Sequence, residues 1–291
     1  MNELDRLISP KQVALSIGVS ESSLKRWCDQ GRIPATKTLG GHRRINRADV
    51  LEFVRGNKQN FVKREVLGLP PASGQSNPTI ESSRDNFVEA LLSGNEERVE
   101  QIFFDLYLNS HPLHAIFDRL IAESFQKIGE LWECEDTEIY QERRSCEICQ
   151  RLFYRIRQLI PAPDSKRVAI GGTLSGDVYT LPTQMVELVL RRQGYAATAL
   201  GNSIPGHSYI KAVEELNPQV VWISVSFVPD RDLFVGEFNR LAECCEQNQA
   251  ALVVGGGALT SELRRKIKFS SYCDTMEQLK MFVNTLPALT P

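Results

Sequence analysis

The residues most able to do chemistry in this chain stand close to its start. Gly40-Gly41-His42-Arg43-Arg44 sets three nitrogen-rich side chains behind two glycines that can make a tight turn. Such a loop can approach a polyanion closely. His42, Arg43 and Arg44 would then stand where phosphate oxygens lie, the two arginines permanently cationic. Just upstream, Glu21–Gln30 has helical spacing, with Leu24 and Trp27 turned inward and Ser22, Ser23, Lys25 and Arg26 turned outward. Together these are the donors of a double-stranded DNA reader.

Candidate chemistry elsewhere is thinner. Cys146 and Cys149, at i and i+3 on a predicted helix, share a face, and Cys134 precedes them by twelve residues, but no His or further Cys pair lies at zinc-site spacing. Cys244-Cys245 is a vicinal pair in a helix, which is poor geometry for a bridge. His111 and His114 flank Pro112 at a helix boundary, and His207 follows a predicted strand near a pocket rim. Glu133, Glu135, Asp136 and Glu138 make an acidic cluster of the kind found on solvated helix ends. No nucleophile elbow, phosphate-binding loop or acid/base carboxylate pair is present, which argues against an enzyme.

The elements that must position the basic donors are legible. Ser9-Pro10 opens a helix as N-cap and first residue, Gly18-Val19-Ser20 makes a tight turn, and the outward helix Glu21–Gln30 follows. Two short helices joined by a glycine-containing turn form a helix-turn-helix, whose second helix enters the major groove. Asn46 begins a third helix. Residues 6–56 resemble the MerR-type and excisionase-type winged DNA-binding domains.

Charge supports one nucleic-acid end. Residues 1–65 hold thirteen Lys/Arg against seven Asp/Glu, a net of +6, which leaves −8 for the rest of a chain whose total is −2. The chain has 291 residues, 42% hydrophobic, with mean hydropathy −0.24, enough to bury a core and to exclude wholesale disorder. No apolar run approaches the ~18–20 residues that span a bilayer. The first residues lack a signal-peptide pattern, and seven loosely spaced cysteines suit reduced thiols, so a cytoplasmic protein without membrane partners is expected.

Composition breaks at Gly68–Thr79 and again at Ile160–Ser165. The expected layout is a multidomain chain: an all-α winged helix-turn-helix head (1–64), a linker (65–84), an α-helical bundle (85–162) and an α/β doubly wound parallel sheet (163–291). In the last part, β-rich runs at 167–170, 196–200, 220–226 and 250–254 alternate with helical stretches such as Thr183–Gln193. Ligands of such sheets bind beyond the carboxyl ends of the strands.

Four stretches carry a second resemblance, over residues 86–286. Ser175-Gly-Asp-Val-Tyr-Thr-Leu-Pro182 stands where a family loop reads Asp-x-His-x-x-Gly. Gly129-Glu-Leu-Trp132 is followed ten residues later by Glu142 and then Arg143, where the family has Glu-His. Ser224 matches a third-strand serine, and Val253-Val-Gly-Gly-Gly257 matches a glycine-rich turn containing Gly255 and Gly256. Bundle and sheet thus resemble the Rossmann-like cobalamin-binding unit of corrinoid proteins. Joined to the head, they resemble the CarH/LitR group of photoreceptor repressors, in which adenosylcobalamin assembles the repressor in the dark and light releases it from DNA.

The resemblance implies a ligand pocket of Trp132, Glu142, Asp177, Tyr179, Ser224, Gly255 and Gly256. It also shows what differs. Tyr179 replaces the histidine below cobalt, Arg143 replaces the histidine above, Glu133 occupies a further ligand position, and Pro182 replaces the loop glycine. A neutral phenol is a poor cobalt ligand. Trp222 shares a strand face with Ser224 by two-residue alternation, where it can fill the slot of the nucleotide tail. Three alternatives follow: cobalamin is lost, cobalamin binds without a histidine ligand, or another tetrapyrrole such as a bilin takes the crevice. The expected function is an operator-binding, homo-oligomeric regulator whose C-terminal module senses a ligand, light or a partner. The alternative is a ligand-free module that docks a protein partner.

Overall fold

The computed structural model describes residues 7–57, 61–72, 78–133, 138–160, 163 and 165–287, without the side chains of Trp132 and Glu133. The chain divides into two compact units, residues 1–159 and 160–291.

The first unit opens with β1 (Leu7–Ile8), α1 (Pro10–Ile17) and α2 (Glu21–Asp29), then β2 (Thr36–Lys37), β3 (Arg43–Asn46) and α3 (Arg47–Gly56). Local chemistry sets each boundary. Ser9 caps α1 in a capping box with Gln12, Pro10 takes the first turn, and Gly18 ends the helix with φ +72. Ser20 caps α2 and Asn46 caps α3 by accepting from backbone N–H groups. The strands pair antiparallel in the order β1-β3-β2, which makes the wing. Leu24, Ile33, Ile45, Val50 and Leu51 form the core of this head, all essentially without exposure.

The bundle follows in the same unit: α4 (Ile80–Ser93), α5 (Glu96–Leu108), α6 (Leu113–Ile116), a π-helical stretch Phe117–Ala122, α7 (Glu123–Glu133) and α8 (Ile139–Leu159). Its core is aromatic, with Phe103, Phe117 and Phe153 packed through ring contacts of 5.2–6.4 Å. Head and bundle are joined by specific polar contacts. The Arg55 guanidinium lies 3.8 Å above the Tyr107 ring and donates to the Tyr107 and His111 carbonyls. Arg64 pairs with Asp105, a carboxylate almost wholly removed from solvent. The start of the stretch expected to be a linker is also packed: Leu69 is buried, and the Gly68 carbonyl accepts from Arg155.

The second unit runs β4 (Val168–Leu174), α9 (Leu181–Arg192), β5 (Ala196–Ile204), α10 (Gly206–Leu216), β6 (Val220–Ser224), α11 (Arg231–Gln247), β7 (Ala251–Gly255), α12 (Ser261–Arg264), β8 (Ser271–Tyr272) and α13 (Met276–Thr285). The five strands are parallel, in the order β5-β4-β6-β7-β8. This is the expected doubly wound sheet. α9 begins at Leu181, two residues before its periodicity suggests, because Pro182 lies in the first turn, where a missing N–H is harmless. Alternation splits the strands cleanly. Ile170, Val221, Ile223 and Val254 join Phe234 and Phe238 of α11 in one apolar core. Trp222 points the other way, to α9.

Candidate nucleic-acid interface and ligand module

α2 presents one face outward. Leu24 is buried, and Trp27 packs on Phe53 at 5.2 Å with the Arg32 guanidinium 5.1 Å from its ring. Ser22, Lys25 and Arg26 are exposed and Ser23 is half-buried. The hydroxyls of Ser22 and Ser23 lie 2.9 Å from the Ser20 cap. Lys25 Nζ sits 2.8 Å from Glu21, whose carboxyl it holds below the ordinary range by hydrogen bond and charge. The basic donors of α2 and the wing are therefore on one head, and the contacts to the bundle come from α3 and the segment after it.

The wing turn is held by its own backbone. Gly41 N donates to Thr38 O at 2.8 Å with φ +77, and Thr38 N donates to His42 O at 2.9 Å. His42 is exposed and Arg44 half-buried. Arg43 is engaged: its guanidinium lies 2.6 Å from the Asp29 carboxylate at the end of α2. A phosphate role for Arg43 therefore requires that pair to open. Sequence reasoning missed Asp29, because nothing local marks a partner fourteen residues away. It also missed Leu39, which stands fully exposed in the wing turn.

In the second unit, the residues expected at the pocket gather at the carboxyl ends of β4, β6 and β7. Asp177 is buried and accepts three backbone hydrogen bonds. Its Oδ1 accepts from Tyr179 N at 3.1 Å, and its Oδ2 from Ser226 N at 2.7 Å and Phe227 N at 3.1 Å. It fastens the loop after β4 to the loop after β6. Ser224 is buried and pairs in register with Gly255. Gly255 and Gly256 have a steric reason of their own. A Cβ would stand 2.1 Å from the Cys273 carbonyl at Gly255, and 2.3 Å from the Val225 carbonyl at Gly256.

Trp222 is 1% exposed, and its Nε1 donates to Thr183 Oγ1 at 2.8 Å. Its indole lies against Gly171 so closely that a Cβ there would come within 2.2 Å of the ring. Around Tyr179, which is half-buried, the same end of the sheet exposes Val178, Phe227 and Leu233.

Glu142 and Arg143 lie in the first unit, on α8, with an ion pair of 3.4 Å between them. Trp132 has its backbone in α7, and its side chain lies outside the described residues, as do Cys134, Glu135 and Asp136. Burial and the Glu142 carboxylate push the Cys146 thiol up to about 12, and burial holds Cys149 and Cys245 up as well. These are poor nucleophiles and poor metal ligands at neutral pH. His207 is exposed on α10, and His111 Nε2 lies 3.0 Å from the Pro78 carbonyl. Among the described residues no three His, Cys, Asp or Glu side chains come together as a metal site, and no helix is long and apolar enough to cross a membrane.

A helix-turn-helix domain model matches residues 7–58, and a B12 binding domain model matches residues 83–157. The chain joins a helix-turn-helix head to a cobalamin-binding-like module. It is 25% identical over 204 residues to the HTH-type transcriptional repressor CarH of Myxococcus xanthus, covering 68% of this chain and 65% of that protein. It is 30% identical over 105 residues to the trimethylamine corrinoid protein of Methanosarcina barkeri, covering 36% of this chain and 48% of that protein. The chain thus spans about half to just under two thirds of these relatives. The monomethylamine corrinoid protein of M. barkeri shares the fold, with a TM-score of 0.60 at 12% identity over 70% of this chain and 98% of that one.

The residues of the cobalamin-binding-like module do not fit an imidazole-ligated corrinoid with a buried tail. The loop after β4 carries Tyr179 and no histidine, Asp177 accepts from three backbone amides, and the Trp222 indole fills the space beside Gly171 of β4.

Proposed function

We propose that this chain is an operator-binding transcription regulator, not an enzyme, whose cobalamin-binding-like module controls its assembly on DNA. The observation that carries the reading is the outward set on the head, Ser22, Lys25, Arg26 and His42, with Arg44 beside it, while α3 faces the bundle. α2 enters the major groove, where Lys25 and Arg26 address base edges, and the wing meets phosphates. One head spans only a short site, so useful specificity needs a homo-oligomer. The reading places the chain in the cytoplasm with double-stranded DNA as its first partner.

Trp222 favours a second feature of this reading. With the tail slot filled, the module works either without a small molecule, by docking a protein partner, or with a flat tetrapyrrole such as a bilin against the exposed Val178, Phe227 and Leu233. It does not work through histidine-ligated cobalamin and its photochemistry.

Two experiments test this. Arg43→Ala with Arg44→Ala is expected to weaken binding to every duplex and to flatten its salt dependence, whereas Arg26→Ala shifts sequence preference; an unchanged salt slope removes the phosphate role. The purified chain is also incubated with adenosylcobalamin in the dark, desalted and run on size exclusion. A colourless protein of unchanged size is expected. A retained corrin spectrum with a larger, light-sensitive assembly would restore the photoreceptor mechanism.

A further inference from the structure

Inside the first unit, between head and bundle, lies a pocket of about 380 Å³, within the range of small-ligand sites. Arg47 at the start of α3, Leu67 and Gly68 after it, and Arg151, Tyr154 and Arg155 of α8 contribute to its walls. Two of its three guanidinium groups already have acceptors. Arg151 grips both oxygens of Glu96, at 2.9 Å each for the closest contacts, and Arg155 pairs with Glu100 and with the Gly68 carbonyl. Arg47 has none: its Nε is closed off from solvent and has no hydrogen-bond partner among the described residues.

Arg47 is half-buried and lines the pocket without a hydrogen bond to any described residue, so its guanidinium is placed to meet an acceptor bound there. The backbone makes room for it. Gly68 adopts φ +67, and a Cβ there would stand 3.2 Å from Arg47 Nη1. Glu96 and Glu147 pair with Arg151 and Glu100 pairs with Arg155, which leaves Arg47 as the lining guanidinium without a carboxylate partner among the described residues. Leu67 is buried beside it, and the Tyr154 ring is largely exposed.

We propose that this pocket binds a small organic oxyanion, a phosphomonoester or a carboxylate. Its anionic end meets Arg47 and its apolar part lies on Leu67 and the Tyr154 ring. Such a ligand ties α3 of the head to α8 of the bundle, a second input to the head that is separate from the α/β unit and independent of how the chain reads DNA.

Calorimetric titration of the full chain at constant ionic strength tests this with inorganic phosphate, phenyl phosphate and benzoate. One-site binding of phenyl phosphate or benzoate is expected, and the preferred probe tells phosphomonoester from carboxylate. Arg47→Met should weaken it by about tenfold or more, the loss of a charge-assisted contact. The melting temperature of Arg47→Met without ligand should not fall, because the guanidinium has no partner to lose. Tyr154→Ala should weaken phenyl phosphate more than inorganic phosphate. The proposal is overturned if none of the three probes binds saturably, or if Arg47→Met binds them as the parent does. It is also overturned if Arg47→Met weakens only duplex DNA, in which case Arg47 is a phosphate contact of the operator.

Discussion

Asp29→Asn should make this protein bind DNA more tightly. In the free head the Arg43 guanidinium lies 2.6 Å from Asp29, with 25% of the Arg43 side chain and 59% of the Asp29 side chain exposed. An exposed pair of this kind is worth about 1 kcal/mol at most. The wild-type head gives up that energy whenever Arg43 turns to a phosphate, so removing the carboxylate should raise affinity by up to about fivefold. Loss of a negative charge near the duplex acts in the same direction. Shared between Asp29 and a phosphate, wild-type Arg43 makes less than a full contact, so freeing it steepens log K against log salt by up to about 0.9. Fluorescence anisotropy with a labelled duplex, from about 50 to about 200 mM salt, measures both quantities. Arg43→Ala supplies the control, and Asp29→Asn in that background should change the slope little. If Asp29→Asn leaves slope and affinity unchanged while Arg43→Ala removes a full contact, then Arg43 reaches phosphate without leaving Asp29, and the competition argument fails.

Trp222→Ala should destabilise the second unit by about 3–5 kcal/mol, the cost of emptying a buried indole site, read by urea denaturation. A loss below about 1 kcal/mol would show that the indole is not a packed part of the sheet. Asp105→Ala leaves Arg64 largely buried without its carboxylate and should cost about 3 kcal/mol or more in the first unit, whereas a neutral result would show that the head is not held to the bundle through this pair. Cys146, pushed up to about 12, should react with iodoacetamide at pH 8 roughly a thousandfold more slowly than an ordinary exposed thiol, checked by mass spectrometry. Because its proton is held more tightly in the folded chain, its contribution to stability is complete below the ordinary thiol range and is lost as pH rises toward 12.

Short-range chemistry made much of this protein legible from its residues alone. Ser9 with Pro10, Ser20 and Asn46 announce three helices because a cap needs only a side-chain oxygen two or three residues from an unsatisfied N–H. The β-rich runs between helical stretches announce a parallel sheet because a strand covered on both faces is apolar at every position. Gly40-Gly41-His42-Arg43-Arg44 likewise marks a turn and a charge within five residues. What the sequence could not determine lies between residues far apart in it. Arg43 meets Asp29 across fourteen positions, Trp222 meets Thr183 across thirty-nine, and Asp177 meets the amides of Ser226 and Phe227 across about fifty. Asp177 matches a ligand-loop motif in sequence, yet the folded chain uses it as a clamp between two loops. Arg47 shows no pattern at all, and only the packing of α3 against α8 leaves its Nε without an acceptor. Caps and periodicity act within a few residues and are written in order along the chain, whereas the partner of a charge or an indole is chosen by which elements the fold brings side by side.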